Sequence, residues 1–383
     1  MRKIILFSLL FFIFTNNCYA SVDTASEYIL MDMTTGRILD GKNYNEPKLI
    51  ASITKIMTCV LAIESEKLDE EVVVDETILK AYGSGIYIEV GEKLTLKDLL
   101  YGLMLRSGND AAVALAEHVG ESVEKFAEIM NKKAEELKLT NTHFVTPHGL
   151  DNSEHYTTAY ELAKLTDYAL QNEKFANIVG TKTTTIYINN QARQITNTNE
   201  LLGVLNGVVG VKTGFTNNAG RCLVTETKRN DMDIITVVLG ADTKKFRTKD
   251  SIKLIEYTFS NYEMVNIQEK IIEEFKNWKN INEKRINVIQ GEKKYLNLSL
   301  GEIKVHTIPI KKDEIDNIQY EINTITSIEA PVEQWQKIGN IVVKMNNNII
   351  EEVEIINLER IERKNWLDYF EYLLKKITEI SFF

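Results

Sequence analysis

The sequence predicts an α+β domain, followed by a small all-β sandwich domain and a C-terminal amphipathic helix. Three observations carry this. A strand hairpin opens the chain, a long helical stretch follows, and strands return before a further helix, so one sheet can join both ends of the segment. Beyond about residue 262 the texture changes to short, evenly spaced alternating strands. The last twenty or so residues are helical again and strongly two-faced.

Taken in order, Tyr28 to Asp32 and Arg37 to Leu39 read as strands joined by the Thr34-Thr35-Gly36 turn. From about 52 to 180 the pattern is mainly helical. Apolar residues recur at helical spacing over Leu96–Leu105, Ala111–Val119 and Phe126–Leu137, the last with Ser122 as N-cap. Strand signals return at Thr183–Ile188, Val208–Thr213, Arg221–Thr227 and Met232–Leu239, and a helix is expected over Thr243–Phe259. The later strands are expected at Arg285–Ile289, Tyr295–Leu300, Ile318–Ile322 and Gly339–Met345. From Trp366 onward, Trp366, Leu367, Tyr369, Phe370, Leu373, Leu374, Ile377 and Ile380 fall in one arc about 160° wide. Asp368, Glu371, Lys375, Lys376 and Glu379 fall opposite. This suits a helix lying on a membrane surface rather than spanning it; the alternative is a helix docked on the β domain. The expected division is 1–20, 21–261, 262–358 and 359–383.

Residues 1–20 read as a secretory signal peptide. Arg2 and Lys3 precede an apolar run from Ile4 to Phe14, and Ala20 is a small residue suited to cleavage. The run is short for a bilayer span, with a retained signal anchor as the alternative. The mature protein is expected to be exported and to begin near Ser21.

Composition narrows the functional classes. At about 150 residues per domain, 383 residues make two or three domains. The hydrophobic fraction of 44% excludes extended disorder. A net charge of −10 argues against nucleic-acid partners, which need a cationic footprint. Five His and three Cys leave little for a metal site or a disulfide scaffold, and no cofactor is expected. Beyond the signal, Cys59 and Cys222 sit among apolar residues and read as small buried hydrophobes. Whether they pair is open.

Three short motifs occur in order: Ser52-Ile53-Thr54-Lys55, Ser107-Gly108-Asn109 and Lys212-Thr213-Gly214. A Ser and a Lys three apart share a helix face. The serine hydroxyl needs a base, and a lysine is one only when neutral, against a usual pKa of about 10.4. Burial and a second cation both favour the neutral form, and Lys212 can be that cation. Ser107 offers a hydroxyl for proton shuttling, Asn109 an amide to hold a substrate, and Gly214 a strand backbone open to close approach. A second Ser-x-x-Lys, Ser122 to Lys125, reads as a helix cap with a surface charge. The order of the three motifs is that of class A β-lactamases and penicillin-binding proteins, with Gly108 where those have Asp.

Over nearly its whole length the chain resembles the low-molecular-weight penicillin-binding proteins, the serine-type D-alanyl-D-alanine carboxypeptidases. Ala51–Thr58, Leu105–Ala111, Pro147–Asp151 and Val211–Thr216 carry the likeness. The resemblance implies a penicillin-binding-protein/β-lactamase-like transpeptidase domain, a β-rich domain and a membrane-associating helix, at the outer face of the cytoplasmic membrane. It implies hydrolysis of the terminal D-Ala of peptidoglycan stem pentapeptides through an acyl-enzyme on Ser52, with Lys55 as proton acceptor and β-lactams as covalent inhibitors. The implied oxyanion hole consists of the backbone N–H groups of Ser52 and Phe215. Some relatives have His at the latter position, which puts a side-chain role for Phe215 in doubt. Arg247 matches a family arginine serving the substrate's terminal carboxylate; Lys212 is the other candidate.

Two rivals remain. A class A β-lactamase needs a deacylating glutamate, which the stretch 146–160 does not clearly supply. A non-catalytic peptidoglycan-binding protein on the same fold has no need of three intact motifs. His143, His148 and His155 match no strong zinc spacing, and His148 is expected to be a loop residue near the cleft.

Overall fold

The computed structural model describes residues 20–346, 348–368, 370, 374 and 377. The expected signal peptide, apart from Ala20, lies outside them. The chain divides near Thr258 into two compact units.

In the first unit β1 (Glu27–Asp32) and β2 (Ile38–Lys42) form the expected hairpin. A 3-10 turn over Ala51–Thr54 runs straight into α1 (Lys55–Glu64). The short pair β3 (Glu71–Val73) and β4 (Lys93–Thr95) precedes α2 (Leu96–Leu105), α3 (Asn109–Gly120), α4 (Val123–Glu136), α5 (Ala159–Leu170) and α6 (Glu173–Gly180). Then come the hairpin β5 (Thr183–Ile188) and β6 (Gln191–Thr196), the strands β7 (Lys212–Thr216), β8 (Gly220–Arg229) and β9 (Met232–Ala241), and α7 (Lys244–Asn261). Among the described residues a five-stranded sheet runs β2-β1-β9-β8-β7, joining both ends of the segment. Because strand side chains alternate, Ile29 and Met31 of β1 face the helical core, while Tyr28 and Leu30 pack with Val238 and Leu254 of α7. Both faces of the sheet are thus covered.

α1 is apolar all round, and every residue from Lys55 to Ile63 is buried. It is the central helix, and a lysine at its first position is costly unless it has a use. Ser122 caps α4, its Oγ accepting from Lys125 N at 3.1 Å, and Lys125 pairs with Glu121 on the surface. The second Ser-x-x-Lys is therefore structural. The strand expected over Val208–Thr213 begins its regular ladder only at Lys212. Val209 N and Val211 N still donate to β8, but one residue out of step with the register that follows. β6 is an element the sequence analysis leaves unassigned.

The second unit opens with β10 (Tyr262–Asn266) and α8 (Ile267–Asn282), the latter also unassigned from sequence. Asn266 caps α8 by accepting from Glu269 N. Then come β11 (Asn287–Ile289), β12 (Leu298–Leu300), β13 (Thr307–Lys311), β14 (Ile318–Thr324), β15 (Ser327–Glu329), β16 (Lys337–Met345) and β17 (Asn348–Asn357). A sheet in the order β12-β17-β16-β14 buries Val353 and Ile355 of β17 and exposes Glu352 and Glu354 between them. Ile271 and Phe275 of α8 complete that core.

Trp366, Leu367, Asp368, Phe370, Leu374 and Ile377 are helical. Asn365 starts this helix by accepting from Leu367 N and Asp368 N, while Asp368 accepts from Asn365 N. The described apolar residues stay exposed, Trp366 by 73% and Ile377 by 60%. Tyr369, Leu373 and Ile380 lie outside the described residues. Among those described, no helix is long and apolar enough to cross a membrane.

Candidate active site

The three motifs meet beside the edge strand β7. Ser52 lies in the 3-10 turn and is half-buried; Lys55 is the first residue of α1 and 0% exposed. Lys55 Nζ lies 2.8 Å from Ser52 Oγ, 2.7 Å from Asn109 Oδ1 and 2.9 Å from the His148 carbonyl oxygen. Asn109 Oδ1 and the carbonyl only accept. A neutral amine has two N–H bonds for them and one lone pair left for the Ser52 hydroxyl. Burial drives the Lys55 pKa well below its usual value, and the charge of Lys212 adds to the effect against a smaller opposing pull from Asp110.

Ser107 and Asn109 come from the short link between α2 and α3. Ser107 holds a left-handed backbone at φ +60°. Gly108 caps α3 without a side chain, which leaves the Asn109 amide free to reach Lys55. Its Nδ2 donates to the Tyr82 carbonyl, and its backbone N–H donates to Ser84 O at 2.7 Å. Asp110 accepts from the N–H groups of Ile86, Tyr87 and Ile88. The acid thus fixes the loop that borders the site.

Lys212 is 1% exposed, and its Nζ donates to Thr213 O at 2.9 Å. Burial first and Arg247 second bring its pKa down to about 7. Thr213 Oγ1 lies 2.7 Å from Thr198 Oγ1. The structure gives Gly214 a reason different from substrate approach: a Cβ there would meet Ile50 O at 2.9 Å and Ile53 Cγ1 at 3.1 Å, so glycine lets β7 close on the Ser52 turn. Phe215 is 45% exposed, and its ring lies 3.3 Å from the Arg221 guanidinium.

A cleft of about 470 Å³ joins these groups; Ser52, Ser107, Thr213 and Gly214 line one part of it. Arg106, Arg221, Lys244 and Arg247 line it too, with Glu200 as their counter-charge. Arg247 is 4% exposed, so it is no ordinary surface arginine. Its Nη2 lies 3.8 Å from Glu200 Oε1, and Glu200 Oε2 lies 2.6 Å from Lys244 Nζ. The cleft is therefore cationic within an anionic chain and suits an anionic substrate end. Sequence analysis missed Arg106 and Lys244, which stand next to Ser107 and one helical turn before Arg247, and it missed Glu200 and Arg221, which no local spacing ties to the motifs.

His148 contributes through its backbone carbonyl. His155 accepts at Nδ1 from Val145 N at 3.0 Å and meets Thr54 Oγ1 at 2.7 Å through Nε2. His143 turns to the Glu154 carbonyl. Cys59 and Cys222 are both free and buried, and burial pushes their thiol pKa values up, Cys222 to about 11.

The chain is similar to known proteins in sequence and in fold. The family profile described as D-alanyl-D-alanine carboxypeptidase, peptidase S11, matches residues 16–243, and the penicillin-binding protein 5 C-terminal domain matches 275–363. The chain is 32% identical to D-alanyl-D-alanine carboxypeptidase DacF of Bacillus subtilis, over 93% of this chain and 91% of that one. It is 33% identical to DacC of Escherichia coli, over 89% and 85%. Among solved structures it resembles penicillin-binding protein 5 of Haemophilus influenzae, with a TM-score of 0.70 at 28% identity over 89% of this chain and 98% of that one. It also resembles the Streptomyces K15 DD-transpeptidase, with a TM-score of 0.60 at 32% identity over 63% and 99%.

Proposed function

Since the chain belongs to the peptidase S11 family of D-alanyl-D-alanine carboxypeptidases, we propose that Ser52 is its nucleophile, Lys55 the base, and the cationic cleft the seat of the substrate's terminal carboxylate. The enzyme is a serine-type carboxypeptidase that removes the terminal D-Ala from peptidoglycan stem peptides during cell-wall remodelling, and β-lactams are its covalent inhibitors.

One observation carries the residue assignment: a fully buried lysine whose amine lies 2.8 Å from Ser52 Oγ, with Asn109 Oδ1 and the His148 carbonyl to accept its N–H bonds. Ser52 Oγ attacks the D-Ala–D-Ala carbonyl as its proton passes to Lys55 Nζ. The N–H groups of Ser52 and Phe215 stabilise the oxyanion. The proton then reaches the departing amine by way of the Ser107 hydroxyl, leaving the acyl-enzyme. Water hydrolyses this intermediate by the same proton path in reverse. Arg247, with Lys212, Arg221 and Lys244 nearby, receives the free carboxylate; Asn109 and the Thr213 hydroxyl orient the peptide.

The β-lactamase rival is disfavoured by the carboxylates near the loop. Asp151 accepts from Thr216 Oγ1 at 2.6 Å, and Glu161 is taken by Asn141 N and Thr142 Oγ1. Glu161 is also 4% exposed, which keeps a deacylating water from it, so penicilloyl-enzyme should persist. The exposed side chains of Trp366, Leu367, Phe370, Leu374 and Ile377 support attachment to the outer face of the cytoplasmic membrane by that helix. The signal peptide 1–20 and the division at 261, 358 and 359 belong to the same reading.

The test is covalent labelling by a fluorescent penicillin, together with D-Ala release from defined pentapeptides. Label that persists on Ser52, with D-Ala release abolished in Ser52→Ala, is the expected result. Label retained by Ser52→Ala would sink the assignment.

A further inference from the structure

We infer that Thr54 and His155 are positioning residues that hold the Ser52 N–H in its oxyanion-binding orientation by fixing the carbonyl of the same peptide unit. This rests on the reading of Ser52 as nucleophile and of its own N–H as an oxyanion donor.

The chain of bonds has one direction. His155 Nδ1 accepts from Val145 N at 3.0 Å, so the ring proton sits on Nε2. Nε2 therefore donates to Thr54 Oγ1, 2.7 Å away, and the threonine proton is left for Ala51 O, at 2.9 Å. Thr54 is 0% exposed and His155 1%, so no water competes for these bonds. Burial, with smaller contributions from the charges of His143 and Lys55, pushes the His155 pKa down to about 4. The ring is neutral near pH 7 and keeps this tautomer.

The Ala51 carbonyl and the Ser52 N–H belong to one planar peptide and point in opposite directions. Fixing the carbonyl on the buried side therefore aims the N–H away from it. The backbone needs holding, because Ala51 sits at φ +49°, unfavourable for a residue with a Cβ. Gly149 closes the other side: a Cβ there would lie 2.0 Å from Ala51 O and 2.5 Å from Thr54 Oγ1. His155, Thr54 and the Pro147–Gly149 loop thus enclose one carbonyl. Preorganised donors of this kind matter because they need not reorganise as the oxyanion forms.

Thr54→Val keeps the shape and removes the hydroxyl; Thr54→Ser keeps the hydroxyl. Thr54→Val should lower kcat for D-Ala release, and the saturating rate of penicillin acylation, by roughly 10- to 100-fold. KM should move by less than about 3-fold. A peptide boronic acid, whose tetrahedral adduct places an oxygen in the oxyanion hole, should lose affinity in proportion. Thr54→Ser should restore kcat to within about 3-fold, and Thr54→Val combined with His155→Ala should be no worse than Thr54→Val alone. If Thr54→Val does not fold, His155→Ala is read by the same kcat and boronate measurements. A loss confined to KM, an unchanged boronate affinity, additive losses in the double variant, or no rescue by serine would overturn the relay. Mass mapping of the penicilloyl adduct separates the two readings. An adduct away from Ser52 removes both, whereas an adduct on Ser52 formed at the parental rate in Thr54→Val removes only the relay.

Discussion

In the proposed mechanism two buried lysines set the chemistry at the residue scale, and they titrate in opposite senses for activity. Lys55 must be neutral to accept the Ser52 proton, so kcat/KM rises with pH on the acid side as Lys55 deprotonates. Lys212, with its pKa brought down to about 7, serves as a cation only while protonated. Above that pH its charge fades and kcat/KM for a free-acid substrate falls. A bound carboxylate favours protonated Lys212, so the alkaline limb of kcat should lie at higher pH than that of kcat/KM. Coincident limbs in a pH–rate profile would mean that Lys212 does not meet the carboxylate. Arg247 is tested apart from it. Losing one charge-assisted contact costs about 1.5–3 kcal/mol, so Arg247→Ala should lower kcat/KM for a free-acid pentapeptide by roughly 10- to 100-fold. The amide of the same peptide should be little affected; equal losses on acid and amide would assign the carboxylate elsewhere.

At the scale of elements, β7 and the turn of Ala51–Thr54 form the working unit, and their close approach depends on Gly214. Gly214→Ala sets a Cβ 2.9 Å from Ile50 O, a backbone atom with no easy retreat. Overpacking of this kind costs about 1–3 kcal/mol. The variant should show a modest fall in Tm and a larger fall in penicillin acylation rate, because the same shift moves the Phe215 N–H away from Ser52. Parental acylation in a variant with lowered Tm would show that the approach is structural only. α1 was legible in sequence: spacing alone pairs Ser52 of the preceding turn with Lys55, and the apolar run after Lys55 marks a buried helix. β6 was not, since Gln191–Thr196 is exposed at every position but Ile195 and shows no apolar alternation. α8 buries only Ile267, Ile271 and Phe275 of its sixteen residues, which leaves a weak stripe beside a long charged face.

At the scale of the whole molecule, a cationic cleft belongs to a chain of net charge −10, and the described apolar residues of the helix after Asn365 are exposed. That helix begins at Asn365, which caps it independently of the β strands before it. Deleting residues from Trp366 onward should therefore release a soluble enzyme with unchanged D-Ala release, read by membrane fractionation and by turnover of a soluble pentapeptide. The segment from Trp366 carries two lysines against three acidic residues, so attachment of the full chain should resist high salt. A truncated protein that stays with the membrane, or that unfolds, would make the helix part of the fold.

The sequence by itself marked Ser52 and Lys55 as the candidate nucleophile and base and set out the motif order, because a three-residue spacing on a helix, a helix cap at Ser122 and the change to alternating strands are all local properties. It also placed Arg247 and Phe215 among the site residues, but only through likeness to a family. Tertiary structure alone decided the rest. It buried Lys55 against Asn109 and the His148 carbonyl, set Glu200 beside Arg247, and turned His155 toward Thr54. Each of these joins segments far apart in the chain. Protonation state follows from desolvation and from neighbouring charges, and both are fixed only when distant elements pack together.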